Sequence, residues 1–326
     1  MPVFIDIRGG RRNEISASEL QREAKDGLCL AIGNFDGVHL GHRRLIEEAS
    51  DAAKRFSAAG KQMLPGVWCF SEPPADFLLK EPPAHICTLD EKLSLASEYG
   101  AEIAVICDFT ELRDMPPLVF VGDYIRNECF CRFIVCGFNF HFGKGGEGDA
   151  FLLRKIFGEN SAVVDAVVTE DGVPISSSRI RTLIENGKIE EANRLLGHAF
   201  RISGEVVHGK ALGRRIGLPT VNIDFYKNAL VPKKGIYVSE SRFDGHAFTS
   251  VTNIGVRPTV ENCGKVNCET HLTDFDGDLY GKTVEVSLLH RLRDEEKFAS
   301  VGELKSAIGN DIKNARDYMK KSAEEV

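Results

Sequence analysis

Nowhere in the 326-residue chain is there an unbroken apolar run of ~18 residues, the length a membrane-spanning helix requires, so no membrane anchor is expected. The stretch from Met1 to Arg12 has no apolar core followed by small residues, which argues against a secretory signal. There is no CxxC pair among the nine cysteines: Cys29, Cys69, Cys87, Cys107, Cys129, Cys131, Cys136, Cys263 and Cys268. Their odd number and the length of the chain argue against a disulfide-stapled module and predict free thiols in a reducing cytoplasm. Cys129 and Cys131 alternate beside Phe130 and Phe133 as in strand packing. No further Cys or His stands near them at the spacing a metal needs. Internal repeats and low-complexity tracts are absent, which removes solenoids and long linkers. Basic residues are not in excess. Forty-one Lys and Arg face forty-eight Asp and Glu, a net charge of −7, which argues against general nucleic-acid binding but allows local basic loops. What is present, 27% charged and 43% hydrophobic residues, is ordinary globular composition. The length suggests about two domains, each long enough to bury its own core.

The first half alternates strand and helix. Leu28–Ile32 is a short apolar run that stops at Gly33. From about Gly41, Leu45, Ile46, Ala49, Ala53 and Phe56 recur at helical spacing, with Arg43, Arg44, Glu47, Glu48 and Lys54 on the other face, until Gly60. Val67–Phe70 reads as a strand, followed by a loop containing Pro73, Pro74, Pro82 and Pro83. A helix over Asp90–Tyr99, a strand over Ile103–Cys107, a helix near Pro117–Asn127 and a strand over Phe133–Cys136 complete the pattern. Such alternation predicts a parallel sheet covered by helices, with ligands at the carboxyl ends of its strands.

The second half differs. One or two short helices are expected over Arg181–Gly197. Six β-rich segments follow: Ile202–Val207, Thr220–Phe225, Gly235–Phe243, Ala247–Ile254, Val266–Leu272 and Thr283–Leu289. Asp244-Gly245 between two of them is a hairpin signal. Six short strands predict a small antiparallel barrel. A last helix carries the apolar stripe Leu304, Ile308, Ile312, Ala315 and Met319. The domains are expected at 1–186 and 187–326.

The strongest chemical signal is Gly33-Asn34-Phe35-Asp36-Gly37-Val38-His39-Leu40-Gly41-His42, between a strand and a helix start. Glycines there let backbone approach a ligand, and the helix end offers free N–H groups to an anion. His39 and His42, three apart, share one face of the first turn. Two imidazoles so placed are able to donate hydrogen bonds to a phosphoryl group in transfer. Ile175-Ser176-Ser177-Ser178-Arg179-Ile180-Arg181 combines hydroxyls and guanidiniums at a helix start, which suits a phosphate clamp. Read alone it is an ordinary N-cap. In Gly137-Phe138-Asn139-Phe140-His141-Phe142-Gly143, aromatics alternate with polar residues before a Gly-rich loop. They suit stacking on a flavin or a base, or equally a strand with a solvated turn.

The second half has its own basic, glycine-punctuated loop, His208-Gly209-Lys210-Ala211-Leu212-Gly213-Arg214-Arg215-Ile216-Gly217. It lacks the GK[ST] of a Walker loop but is suited to wrapping a polyphosphate through backbone N–H groups, unless it is a plain basic surface loop. Thr220 and Asn222 alternate on the strand that follows, and their oxygens are hard ligands suited to Mg²⁺. Asp274, Asp276 and Asp278 imitate a calcium loop. Leu279 stands where that loop needs Gly, and the flanks read as strands, so calcium is not expected. Glu269, on a strand, is placed to take a proton from a substrate hydroxyl, although alone it reads equally as a surface carboxylate.

HxGH after a first strand is the signature of the nucleotidylyltransferase superfamily, and ISSSRIR matches its partner motif. From about Leu28 to Tyr318 the whole chain resembles the bacterial bifunctional riboflavin kinase/FMN adenylyltransferases, the prokaryotic FAD synthetases. The resemblance rests, in order, on GNFDGVHLGH, GFNFHFG, ISSSRIR, GRRIGLPTVN, NIGVRPT, Glu269-Thr270-His271-Leu272 and Leu279-Tyr280-Gly281. It implies a Rossmann-like α/β adenylyltransferase domain, then a six-stranded antiparallel kinase barrel with a C-terminal helix. It also implies two ATP-dependent steps, riboflavin to FMN and FMN to FAD, with Mg²⁺ as cofactor. By resemblance, His39 and His42 would stabilise the α-phosphate, and Gly33, Phe35 and Asp36 would line the nucleotide site with Ser176 and Arg179 as clamp. Asn139, Phe140 and Arg293 would serve the flavin. In the barrel Gly209, Lys210 and Gly213 would hold ATP, Thr220 and Asn222 would hold Mg²⁺ with ATP, and Glu269 would be the base. Three features depart from the family pattern: Val221 stands where Ala is usual, Asn139 where Asp is frequent, and the loop Ser71-Glu72-Pro73-Pro74 lacks the usual Pro spacing. A chain keeping one activity, or a non-catalytic flavin-binding protein, is the alternative reading. The sequence leaves the oligomeric state open.

Overall fold

The structure, a computed structural model, describes residues 1–208, 218–256 and 266–324. The chain forms two compact units. Met1–Pro83 joins Thr88–Ser177, and Ala84–Cys87 joins Ser178–Val326. The division thus falls at Ser177, where a helix begins, and the short segment Ala84–Cys87 belongs with the second unit.

The first unit is built on a seven-stranded sheet. Its strands are β1 (Val3–Asp6), β2 (Asn13–Ile15), β3 (Gly27–Ile32), β4 (Met63–Phe70), β5 (Ile103–Cys107), β6 (Cys131–Gly137) and, after the small β7 (His141–Phe142) and β8 (Gly148–Asp149) ribbon, β9 (Ser161–Val164). The order is β2-β1-β5-β4-β3-β6-β9. The expected strands pair in parallel, and β9 extends them. The N-terminal hairpin of β1 and β2 adds an antiparallel edge that the sequence pattern did not announce.

Buried on both faces, β3 is apolar throughout. Leu28, Leu30 and Ile32 enter one core with Phe120, Ile125, Leu153 and Phe157. Cys29 and Ala31 enter the other with Leu45, Ile46, Ala49 and Leu93. An apolar run without alternation is what a parallel strand covered on both sides requires. The segment expected as one helix near Pro117–Asn127 is a short turn of helix, Pro117–Val119, that continues as a π-helix over Phe120–Glu128. Of the pair expected in one strand, Cys129 caps this helix and Cys131 begins β6.

Helices Ser177–Glu185 and Ile189–Leu196 lead to the second sheet. It is a closed barrel, ordered β10-β11-β14-β13-β12-β15, with β10 (Phe200–Val207), β11 (Val221–Asp224), β12 (Gly235–Phe243), β13 (His246–Val256), β14 (Val266–Leu272) and β15 (Thr283–Arg293). All six expected strands are present, and every pairing is antiparallel. Asp244 (φ 48°) and Gly245 (φ 78°) form the predicted two-residue turn, both in the left-handed region. Inside, Ser241, Ser250, Ser239, Thr252 and Thr270 form an unbroken chain of hydroxyl contacts at 2.7–2.9 Å, all fully buried. Such a network is stable because each hydroxyl has a partner. The last helix, Val301–Glu324, lays Ile312, Ala315 and Met319 against Val238, Val251 and Leu289.

Candidate active sites

Two groups of polar side chains stand out, one in each unit. In the first unit the strand order reverses beside β3: β4 and β5 lie to one side and β6 to the other. Ligands of open α/β sheets bind at such a switch point, outside the carboxyl ends of the strands. The loop Gly33–His39 leaves β3 there, and the loop Phe138–Phe140 leaves β6 beside it.

The Gly33–His39 loop is held in an unusual backbone. Phe35 (φ 51°) and Val38 (φ 38°) are both left-handed, which costs on the order of 1–3 kcal/mol each and is severe for a β-branched residue. Burial holds them there: Phe35 is 1% and Val38 0% exposed. The turn delivers His39 as N-cap of the helix Leu40–Ala58, its Nδ1 accepting the His42 N–H at 3.4 Å. The imidazoles of His39 and His42 stack at 3.7 Å with planes 18° apart. Phe35 closes the other side of His42 at 5.3 Å. Gly41 leaves room for this pair, because a Cβ there would lie 3.1 Å from the His39 ring.

His42 Nδ1 is buried and has no hydrogen-bond partner. Burial first, then the neighbouring His39 and Lys92, pulls the His42 pKa well below the usual imidazole value. The Ser177 hydroxyl donates to the Asp36 carbonyl at 2.9 Å and so ties the ISSSR segment to the glycine loop. Ser176 precedes that helix, and Arg179 lies on it in the second unit. Gly33 is half-buried with Phe35 below it. Asn139 is exposed at the tip of its loop, whereas Phe140 stacks on Phe142 at 5.9 Å and packs against the core.

In the barrel, strand register assembles the second group. Asn222 of β11 stands opposite Glu269 of β14, and Glu269 opposite Asn253 of β13. Thr220 lies two residues before Asn222, and its hydroxyl donates to Glu269 Oε1 at 2.7 Å. Asn267 Nδ2 donates to Asn222 Oδ1 at 3.0 Å. Val221, opposite Thr270, falls on the other face. Thr220 and Asn222 line a cleft with Val206, Leu279 and Tyr280, and the Tyr280 ring lies 3.9 Å from His208. Asn253 was singled out only as part of a motif. It stands in a row with Asn222 and Glu269, and its Oδ1 is buried and unpartnered, which makes it a further candidate. Arg293 stands across from Ile236 of β12, which in turn stands across from Asn253. It ends β15, which pairs with β10 and β12, and its Nε and Nη2 bond Asp311 of the last helix at 3.1 and 2.7 Å. Gly209, Lys210 and Gly213 lie outside the described residues.

Comparison with known proteins follows the same division. A family model described as FAD synthetase matches residues 21–179, and one described as riboflavin kinase matches residues 196–319. The bifunctional riboflavin kinase/FMN adenylyltransferase of Escherichia coli K12 is 36% identical over 305 residues, covering 92% of this chain and 95% of that protein. The Pseudomonas fluorescens and Bacillus subtilis proteins of the same name are 34% and 33% identical, over 91% and 92% of this chain and 94% and 95% of their own lengths. Among solved structures, the crystal structure of a macrolide-efflux protein from Streptococcus pneumoniae superposes with a TM-score of 0.77 and 31% identity, covering 89% of this chain and 94% of that one. Among the described residues no helix is long and apolar enough to cross a membrane. With both domain models matched in order, and with relatives this similar over nine-tenths of its length, the chain belongs to the bifunctional riboflavin kinase/FMN adenylyltransferases.

Proposed function

We propose that each unit carries out one step of flavin cofactor synthesis, through the residues just described. In the second unit the terminal ribityl hydroxyl of riboflavin attacks the γ-phosphorus of ATP. Glu269 takes the hydroxyl proton, the bond to the β-phosphate oxygen breaks, and FMN and ADP leave. Thr220 fixes one carboxylate oxygen of Glu269 by its 2.7 Å hydrogen bond, so the base is oriented before substrate arrives.

The hydroxyl of Thr220, the amide oxygen of Asn222 and the Glu269 carboxylate present hard oxygen donors of the kind Mg²⁺ takes when a nucleotide supplies the remaining ligands. Bound there, Mg²⁺ would neutralise charge on the ATP phosphates.

In the first unit a phosphate oxygen of FMN attacks the α-phosphorus of ATP. A new P–O bond forms, the bond to the β-phosphate breaks, and FAD and pyrophosphate leave. His42, in its Nδ1–H tautomer, donates to the α-phosphate oxygens. His39 stacks on His42 and keeps it in place, with its own N–H turned to the phosphate chain. The lowered His42 pKa fits this role, since a neutral imidazole donates one hydrogen bond without holding a proton it must release. Ser176 flanks the nucleotide, and Asn139 and Phe140 border the flavin. The free thiols of the eight described cysteines suit a reducing cytoplasm.

The observation that supports this reading is the presence, in one chain, of two groups of polar side chains: the stacked histidines at a switch point and the Thr220–Glu269 pair in a barrel. Incubation with riboflavin, ATP and Mg²⁺ tests it. FMN appears first and FAD after it. FMN that accumulates without conversion, or fed FMN that is not adenylylated, refutes the two-step assignment.

A further inference from the structure

Lys92 lies in the helix Leu89–Glu98, which crosses from β4 to β5. A crossover between parallel strands runs antiparallel to them, so the start of this helix stands at the carboxyl end of the sheet, where the ligand binds. A capping box fixes that start. Thr88 Oγ1 accepts the Glu91 N–H at 3.2 Å, and Glu91 Oε2 accepts the Thr88 N–H at 2.7 Å. Lys92 is the next residue. It faces inward with Leu95 and Ala96, and is 6% exposed.

Lys is almost never buried to this degree unless paired. Among the described residues no carboxylate bonds or pairs with the Lys92 ammonium; its electrostatic neighbours are His42 and Cys69, the penultimate residue of β4. An ammonium near the positive end of its own helix, without an anion among the described residues, is open to an anionic ligand. The unpartnered, buried Nδ1 of His42 is the second polar group left open at this place.

From this geometry, and resting on the adenylyltransferase reading above, we infer that Lys92 is a further catalytic residue of the first unit: its ammonium binds the phosphate chain of ATP beside His42 and holds the pyrophosphate as it leaves. The substrate supplies the missing anion. In the transfer the negative charge released by cleavage of the α–β bond moves onto the leaving pyrophosphate, and a fixed cation there stabilises the transition state more than the ground state.

The test is Lys92→Met, which keeps the apolar stem and removes the charge, with Lys92→Arg beside it, in the full chain. FAD formation from FMN and ATP falls about 100-fold in Lys92→Met, mostly in kcat, while FMN formation from riboflavin is unchanged. Lys92→Arg recovers part of the loss. The thermal midpoint of ligand-free Lys92→Met stays level or rises, because no ion pair is lost and the apolar stem is kept; a structural lysine would lower it. Calorimetric titration with pyrophosphate, a product of the first unit's step alone, shows weakened binding in Lys92→Met. Adenylyl transfer within twofold of wild type, or equal pyrophosphate affinity, overturns the inference. A wild-type chain that makes FMN but never FAD instead refutes the adenylyltransferase reading, and the pyrophosphate titration then still decides whether Lys92 binds phosphate.

Discussion

Gly41→Ala separates stability from catalysis in the histidine site. A Cβ at this position would sit 3.1 Å from both Cε1 and Nδ1 of His39, where ordinary contact begins near 3.4 Å. The imidazole must therefore retreat by a few tenths of an ångström, and it is the atom Nδ1 that caps the helix through the His42 N–H. Two stability effects oppose. Ala in place of Gly inside a helix contributes about 1 kcal/mol. Weakening the His39 cap costs about 1 kcal/mol. The melting midpoint of the first unit should stay within a degree or two. Catalysis has no such compensation, because the stacked pair at 3.7 Å moves as one and functional groups need placement within about 0.5 Å. The expected loss is roughly tenfold in adenylyl transfer, about 1.4 kcal/mol of transition-state stabilisation. FAD formation from FMN, followed by chromatography beside riboflavin phosphorylation on the same sample, gives the result. Wild-type adenylyl transfer in Gly41→Ala would show that the His39 position is not critical. Equal loss of both activities would show that the change is not local.

Three further outcomes follow from the geometry. Glu269→Gln keeps an oxygen for the Thr220 hydroxyl but no proton acceptor, so FMN formation should fall by 10²–10⁴-fold while FAD formation from supplied FMN stays at the wild-type rate. Because the His42 pKa is lowered in the folded chain, the unfolded chain binds more protons as pH falls below about 6.5. Stability is therefore full above that pH and is lost as pH falls toward the folded pKa; denaturant curves at pH 7.5 and 5.5 should show the decrease, and His42→Asn should diminish it. Asp311 is 4% exposed and holds the Arg293 guanidinium through two bonds, so Asp311→Ala should cost about 3 kcal/mol and loosen the last helix, read as early exchange of the amides of Val301–Glu324.

Much of the fold was legible because its signals are local. Gly235–Phe243 and Val266–Leu272 have the very bounds their β-rich composition announced, and the Asp244-Gly245 turn needs the backbone those residues tolerate. β3 was legible as an apolar run bounded by glycines. What escaped has no such signal. Val3–Asp6 and Asn13–Ile15 are short and form the antiparallel edge of the sheet, and their strand state comes from pairing, Val3–Asp6 with Ile103–Cys107 and Asn13–Ile15 with Val3–Asp6, rather than from their own pattern. The π-helix over Phe120–Glu128 keeps an apolar face that reads as ordinary helix, and one changed hydrogen-bond step leaves no mark in composition.

The sites show the same limit in a sharper form. His39, His42, Thr220, Asn222 and Glu269 stand in motifs whose residue types already suit phosphate chemistry, so their spacing pointed to them. Asn253 is different: it becomes a candidate for the barrel site only through the register that sets it across from Glu269. Arg293 is the reverse case, a cation in the expected place along the chain whose guanidinium is engaged by Asp311. Lys92 follows Asp90 and Glu91 in a helix start, where a lysine ordinarily lies in solvent, and nothing in the sequence separates it from Lys54 or Lys61. Packing separates them. Lys54 pairs with Asp51 in solvent and Lys61 lies over the Phe56 ring, whereas Lys92 is packed inward near Cys69 and His42 with no anion of its own among the described residues. A charge is identified as functional by the partner it lacks, and that is a property of the folded chain alone.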